Sequence, residues 1–255
     1  MQPTDLVILS DYGLDDAVAL AHILEHREQF GRIDVLAVAG NTSAENSFGN
    51  AAKLLARAGV AAHDVTLVDT SAEPQPWTQL PSIHGTDGLG DLFPPAQPTV
   101  PVTTYAAWLA GADRPFTLLS LGPCTLTARI LAQVGARPLV LMAGLVHEKP
   151  NFNGYEFNHE LDKAAFAETV RYPHVVATLD TCRVPVFNSI DRRTDGATLK
   201  GQLINRAIEL AAARHPENCY IYDYVAAQYL TDPERFTTDV CVDPWGNTLT
   251  QLRVL

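Results

Sequence analysis

Short, uninterrupted apolar runs recur along this chain, each closed by small or polar residues and followed by a stretch with helical spacing. Val7 to Leu9, Ile33 to Gly40 (IDVLAVAG), Asp64 to Asp69 (DVTLVD), Phe116 to Pro123 (FTLLSLGP) and Pro138 to Gly144 (PLVLMAG) are too short for amphipathic helices and lack polar alternation. Such runs read as strands buried on both faces, the mark of a parallel sheet. SFGNAAKLLARAG (stopped by Gly59), the segment from Thr125 to Val134, AAFAETVR, Leu199 to His215 and YDYVAAQYL supply helices. VVATLD and VPVFNS are expected to continue the alternation. Repeated β–α units predict an α/β fold: an open, mostly parallel sheet with helices on both faces and right-handed crossovers. TTDVCVD and TLTQLRVL, flanking a Pro-Trp-Gly-Asn turn, predict a terminal β-hairpin. The proline-rich stretch Phe93 to Pro101 reads as a long surface loop, because the alternation resumes in the same style beyond it. Residues 1–255 are therefore expected to form a single domain.

Composition narrows the function. With 47% apolar residues the chain can bury a substantial core, which excludes a disordered protein. A formal net charge of −11 argues against nucleic acid and anionic membrane as partners, since both need clustered Lys and Arg. It suits a cation or a neutral polar ligand, or solubility alone. Cys124, Cys182, Cys219 and Cys241 are far apart and form no CxxC pair, so they read as buried thiols in a reducing compartment. The start of the chain lacks a basic segment, an apolar core and a small-residue cleavage site. No apolar run approaches membrane-spanning length. A cytoplasmic location is the expectation.

The richest junction follows the first strand. In VILSDYGLDDAVAL, Val7 to Leu20, an apolar run stops at Asp11, turns through Gly13 and restarts as a helix opened by Asp15 and Asp16. Negative charge suits the free N–H groups there. Carboxylates crowded at one junction repel unless a cation or a shared proton intervenes. Other polar residues follow apolar strands in the same way: Asn41 after AVAG, Thr125 after LSLGPC, Asn153, Glu156 and Asn158 after PLVLMAG, and Asp223 at the start of a later helix. In a parallel sheet the strand carboxyl ends share one edge, where open α/β folds bind ligands, so these groups would converge. Carboxylates, amides and backbone carbonyls are hard donors, suited to calcium or magnesium and poor for zinc. Each residue also has an ordinary reading. Asp15 alone would cap a helix, Asn41 and Asn158 would hold turns, and Met142 would fill the core. His84 would be structural, and His147 and His159 would be surface groups.

VILSDYGLDDAVAL, AVAGNTSAENSFGNA, HGTDGLG, LSLGPCTLTA, LMAG, EFN and YDYVAA stand in the order found in the inosine-uridine-preferring nucleoside hydrolase family, which the chain resembles from Asp11 to Asp223. The resemblance implies a calcium-dependent enzyme that splits the N-glycosidic bond of a ribonucleoside with a purine, pyrimidine or modified base. It implies that Asp11 is both a Ca2+ ligand and the base for the attacking water. Asp16, Asp223 and the backbone carbonyl of Thr125 would complete the ligands. Asp15, Asn41, Glu156 and Asn158 would grip the ribose hydroxyls, with Met142 beside the sugar. His84 of HGTDGLG is a candidate substrate contact. Asn151 and Asn153 are both candidates for an amide displaced in register before EFN. A nucleoside is the implied partner, bound by a homo-oligomer, a dimer or a tetramer.

Three segments depart from the family pattern. The opening motif, DxDPGxDD in the family, has Leu9 for its first Asp and Tyr12 for its Pro. GPLTN reads GPCTL, with Leu126 for the Asn. Tyr222 stands where many purine-cleaving members carry a histidine, a proposed acid for the departing base. A phenol donates a hydrogen bond but is a weaker acid near neutral pH. Tyr220 and Tyr224 flank Tyr222, making it the candidate leaving-group donor of a tyrosine-lined pocket. The same departures motivate a second reading, a weakened or inactive nucleoside or ribose binder. Phosphate transfer from Asp11 fits worse: Gly13 stands where that chemistry wants a second acid, and Lys149 is the sole lysine near the loop motifs.

Overall fold

The computed structural model describes residues 4–60 and 64–255; residues 1–3, which belong to the expectation about the chain start, and 61–63 lie outside the described residues. The strands are β1 (Asp5–Ser10), β2 (Ile33–Ala37), β3 (Val65–Asp69), β4 (Val102–Thr104), β5 (Phe116–Ser120), β6 (Leu139–Met142), β7 (Val175–Ala177), β8 (Phe236–Val242) and β9 (Thr248–Val254). They form one sheet in the order β4-β3-β2-β1-β5-β6-β7-β9-β8. Every pairing is parallel except β8 with β9, the expected terminal hairpin. The helices are α1 (Leu14–Glu25), α2 (Ala44–Arg57), α3 (Pro81–His84), α4 (Tyr105–Ala110), α5 (Thr125–Val134), α6 (Phe157–Leu161), α7 (Lys163–Thr169), α8 (Leu179–Cys182), α9 (Leu199–Ala212) and α10 (Tyr222–Thr231).

The period-2 alternation of β1 divides the interior. Leu6 and Ile8 enter one core with residues of α1, α2, α9 and α10. Val7 and Leu9 enter the other with residues of α4, α5 and α7. Leu9 is 1% exposed and Leu126 0% exposed, so both positions where the family motif carries a polar residue are here occupied by packed apolar side chains. The strand order reverses at β1, with β2 to β4 on one side and β5 to β7 on the other. In such a sheet the crevice at the reversal, at the strand carboxyl ends, is where ligands bind.

The amino edge does different work. Asp34, at the start of β2 and 0% exposed, accepts from Trp108 Nε1 at 2.6 Å and Arg32 Nε at 2.8 Å, and also pairs with Arg114. Arg114 Nε reaches Asp5 Oδ2 at 2.6 Å. These contacts tie β1, β2 and the approach to β5 together far from the carboxyl edge.

One expectation about elements is corrected. VPVFNS is not a strand: Pro185–Phe187 forms a 3-10 turn, and only Asn188 makes a bridge, to Tyr220. Pro185 has no N–H for a sheet ladder and is suited to the first position of such a turn. The loop from Phe93 to Pro101 leads into β4, a three-residue edge strand too short to leave a sequence pattern. Cys124, Cys182 and Cys219 are buried free thiols, and Cys241 is half-buried and also free. No described helix is long and apolar enough to cross a membrane.

Removing Arg114 leaves Asp34 buried with a single guanidinium partner. Arg114→Ala is therefore expected to lower stability by about 2 kcal/mol, read as a shift in the urea midpoint. KM for any ligand of the carboxyl edge should be unchanged; a large change in KM with little change in midpoint would contradict this separation of edges.

Candidate active site

The β1–α1 junction is built by short contacts. Asp16 completes a capping arrangement, accepting from Gly13 N at 2.9 Å and from Ser10 Oγ at 2.6 Å. Asn41, at the end of β2, donates its backbone N–H to Asp11 Oδ2 at 2.6 Å, and its Nδ2 to Asp11 Oδ1 at 3.2 Å and Asp16 Oδ2 at 3.4 Å. One asparagine thus holds Asp11 by both carboxylate oxygens. That approach needs Gly40: a Cβ there would lie 1.9 Å from Asp11 Oδ2. Between the acids, Tyr12 has φ +39° and is fully buried. Proline cannot adopt that angle, so the turn itself, not only the side chain, differs from the DPG pattern.

Asp15, Asp16 and Asp223 each offer one carboxylate oxygen, all within 4.8 Å of one another. Asp11, Asp16 and Asp223 are at most 3% exposed. Burial foremost, then repulsion from neighbouring carboxylates, pushes Asp11 and Asp223 well above the usual carboxylate range and Asp16 up to about 6. Among the described residues no Lys or Arg lies within 4.0 Å of Asp11, Asp16 or Asp223. Asp15 Oδ1 is buried without a hydrogen-bond partner. Buried acids with an unpartnered oxygen and no protein cation fit a divalent ion, and the all-oxygen donor set fits a hard one. The grouping includes Asp15, expected on the ribose, while the Asp11 side chain lies directly beside that of Asp16 and Asn41 Nδ2 donates to both. Thr125 opens α5 with its hydroxyl donating to Asp162 Oδ2 at 2.6 Å.

A cavity of about 820 Å³ opens over this group. Of the expected residues, Asp15, Asn41, His84, Met142, Glu156, Asn158, Tyr222 and Asp223 line it, whereas Asp11, Asp16, Thr125 and Asn153 do not. Glu156, the N-cap of α6, accepts from Asn158 N at 3.0 Å through one oxygen and from Gly144 N at 2.9 Å and His159 N at 3.0 Å through the other. Burial still pushes it up to about 7. Asn158 Nδ2 donates to Leu121 O at 2.8 Å and Met142 O at 3.0 Å, which braces the ends of β5 and β6. Its amide hydrogens are spent, so Oδ1 is what it can offer a ligand. His84 Nδ1 accepts from Leu14 N at 3.1 Å, and burial lowers its pKa. It is thus a neutral ring whose remaining hydrogen is on Nε2.

Asn153 is the exception among the expected contacts. It is exposed at a turn, with φ +44°, and it is Asn151 that lines the cavity. The turn that orders the loop needs an Asn-type left-handed residue at 153, which aims its side chain at solvent. His159 is also corrected: it is 2% exposed, stacked on Phe166 at 4.1 Å, and lowered to about 4 by burial. His147 is exposed, and neither histidine lines the cavity. Arg183, Arg214, Lys149 and Glu148 line it unforeseen. Arg183 is the C-cap of α8, a position to which no strand-end rule points.

The chain is similar in sequence and in fold to known nucleoside hydrolases. The family model described as inosine-uridine preferring nucleoside hydrolase matches residues 6–252. The chain is 28% identical over 257 residues to the non-specific ribonucleoside hydrolase RihC of Klebsiella pneumoniae subsp. pneumoniae, covering 92% of this chain and 82% of that protein. It is 30% identical over 256 residues to the RihC protein of Salmonella agona, covering 92% and 81%. Its fold is similar to that of the plant nucleoside hydrolase PpNRh1, with a TM-score of 0.76 at 21% identity over 98% of this chain and 87% of that one.

Two outcomes are expected. A cation needs ionised ligands, and burial with mutual repulsion raises the proton affinity of Asp11, Asp16 and Asp223, so binding of a divalent ion such as Ca2+ should strengthen as pH rises. As pH falls through about 6, where Asp16 takes up its proton, the affinity should fall towards tenfold per pH unit for each ligand protonated, measured by titration calorimetry in buffers of different ionisation enthalpy; a pH-independent affinity would contradict it. Gly40→Ala should displace Asp11, weaken Ca2+ binding and cost about 1–3 kcal/mol of stability, measured by the same titration and a urea midpoint.

Proposed function

The chain belongs to the inosine-uridine preferring nucleoside hydrolase family, and from that premise we propose that it is a calcium-dependent N-ribosyl hydrolase that converts a ribonucleoside to ribose and free base. One observation carries the reading: buried, mutually repelling carboxylates lie at the carboxyl edge beside a nucleoside-sized cavity walled by braced acids and amides. The names of the relatives support the substrate class.

In this reading Asp16 and Asp223 would hold the ion, with Asp11 and the Thr125 carbonyl completing the ligands and Asp15 close by. The ion, when bound, acidifies water beside the ribose. Asp11, its two oxygens fixed by Asn41, takes the proton from the attacking water. Asp15, Glu156, Asn41 Oδ1 and Asn158 Oδ1 accept from the ribose hydroxyls and orient C1′. As the C1′–N bond lengthens the ribose gains oxocarbenium character, and the surrounding oxygens favour that positive charge over the neutral ground state. His84 offers its Nε2 hydrogen to the substrate, Met142 packs beside the sugar, and Asn151 takes the amide position on the wall. Tyr222 meets the base.

The test is release of free base and ribose from a panel of ribonucleosides, followed chromatographically with and without a calcium chelator. Turnover should vanish on chelation and return with Ca2+, and Asp11→Asn should lower kcat by about 10³-fold. Tight nucleoside binding with no turnover on any member of the panel, Ca2+ being bound, would instead establish the binder that Leu9, Leu126 and Tyr222 motivate.

A further inference from the structure

The last turn of α8 grips Tyr222 at two points. Cys182 Sγ lies 3.6 Å from the Tyr222 carbonyl oxygen, and Arg183 Nε donates to Tyr222 Oη at 3.2 Å. Arg183 is itself fixed: Nη1 donates to Lys149 O at 2.6 Å and to Glu148 Oε2 at 3.3 Å. Its Cζ stands 5.8 Å from the centre of the Tyr222 ring. Both side chains line the cavity, and that of Arg183 is 19% exposed.

A guanidinium has donors and no acceptor, so Oη must be the acceptor in this bond. A phenol has one proton, and among the described residues no protein acceptor takes it. The O–H is therefore free to donate to a ligand in the cavity that Tyr222 lines. We propose that Arg183 is a positioning residue for base release, fixing Tyr222 so that its hydroxyl donates to the departing base. The proposal rests on the N-ribosyl hydrolase reading and adds to it the residue that makes a tyrosine serviceable at this position. In the step concerned the C1′–N bond breaks and its electron pair goes to the base nitrogen. The Tyr222 O–H hydrogen-bonds that developing charge, and the base takes its proton from solvent. Water supplies hydroxide to C1′ and a proton to Asp11. A donor already fixed in place costs nothing to order as the base gains electrons, which favours the transition state over the bound nucleoside.

The alternative is that Arg183 merely ties the loop at Glu148 and Lys149 to α10. Kinetics on two substrates separate the two roles: a ribonucleoside, whose base is a poor leaving group, and nitrophenyl β-D-ribofuranoside, whose phenolate departs without help. With the calcium-loaded protein, Arg183→Gln should lower kcat on the nucleoside by about tenfold to a hundredfold with little change in KM, and the loss on the nitrophenyl riboside should be at least ten times smaller. Tyr222→Phe should show the same split. In the double variant the second substitution should add less than about threefold, because each removes the same hydrogen bond. Arg183→Lys, which retains a donor, should recover part of the loss; if Arg183→Gln does not fold, the Lys variant and its combination with Tyr222→Phe complete the same cycle. Equal losses on both substrates, or additive losses in the double variant, would overturn the proposal. Failure of the unaltered protein on both substrates would overturn the hydrolase reading instead.

Discussion

Everything at the carboxyl edge follows from one electrostatic constraint: carboxylates are buried together where, among the described residues, no Lys or Arg neutralises them. Asp16 is 0% exposed and Asp223 3%, and desolvation raises the proton affinity of both. A fold has no reason to maintain such a cluster for stability, since replacing buried charge with apolar packing is often neutral or favourable. The group makes sense as a receptor for a hard cation, and its neighbours are arranged to keep it open. Asn41 spends its donors on Asp11 and Asp16, Gly40 clears space for it, and Gly13 N and Ser10 Oγ hold Asp16.

The sheet makes that cluster affordable by separating tasks. Its two apolar cores and the ion-paired amino edge around Asp34 and Arg114 carry the stability. The carboxyl edge is left to hold strained and underpartnered groups, among them Tyr12 at positive φ and the unpartnered oxygen of Asp15. Even there the functional side chains are braced from behind: three backbone N–H groups hold Glu156, and the ends of β5 and β6 hold Asn158. What each can present to a ligand is therefore an acceptor, which is what ribose hydroxyls and a cationic transition state both require.

The parallel architecture was legible because apolar runs closed by small residues are local signals, and a parallel sheet then brings distant strand ends together by rule. That is how Asp11, Asn41, Glu156 and Asp223 could be assigned to one edge before any coordinates. Details set by side-chain reach or turn geometry were not legible. Asn151 and Asn153 differ by two positions in one loop, and only the left-handed turn at 153 decides which faces the cavity. VPVFNS looks like a strand until the missing N–H of Pro185 is counted. His159 sits among polar neighbours in sequence, yet Phe166 and Trp245 enclose its ring. The contact of Arg183 with Tyr222 spans 39 residues and depends on two helix ends meeting, for which no spacing rule exists.

The central claim is tested most directly by a crystal structure of the protein grown with Ca2+ and ribose. A single ion should touch both Asp16 and Asp223, with the sugar above it held by Glu156 and Asn158 and its C1′ turned toward Tyr222. An ion-free cluster in saturating Ca2+, or a sugar bound with these carboxylates turned away from it, would contradict it.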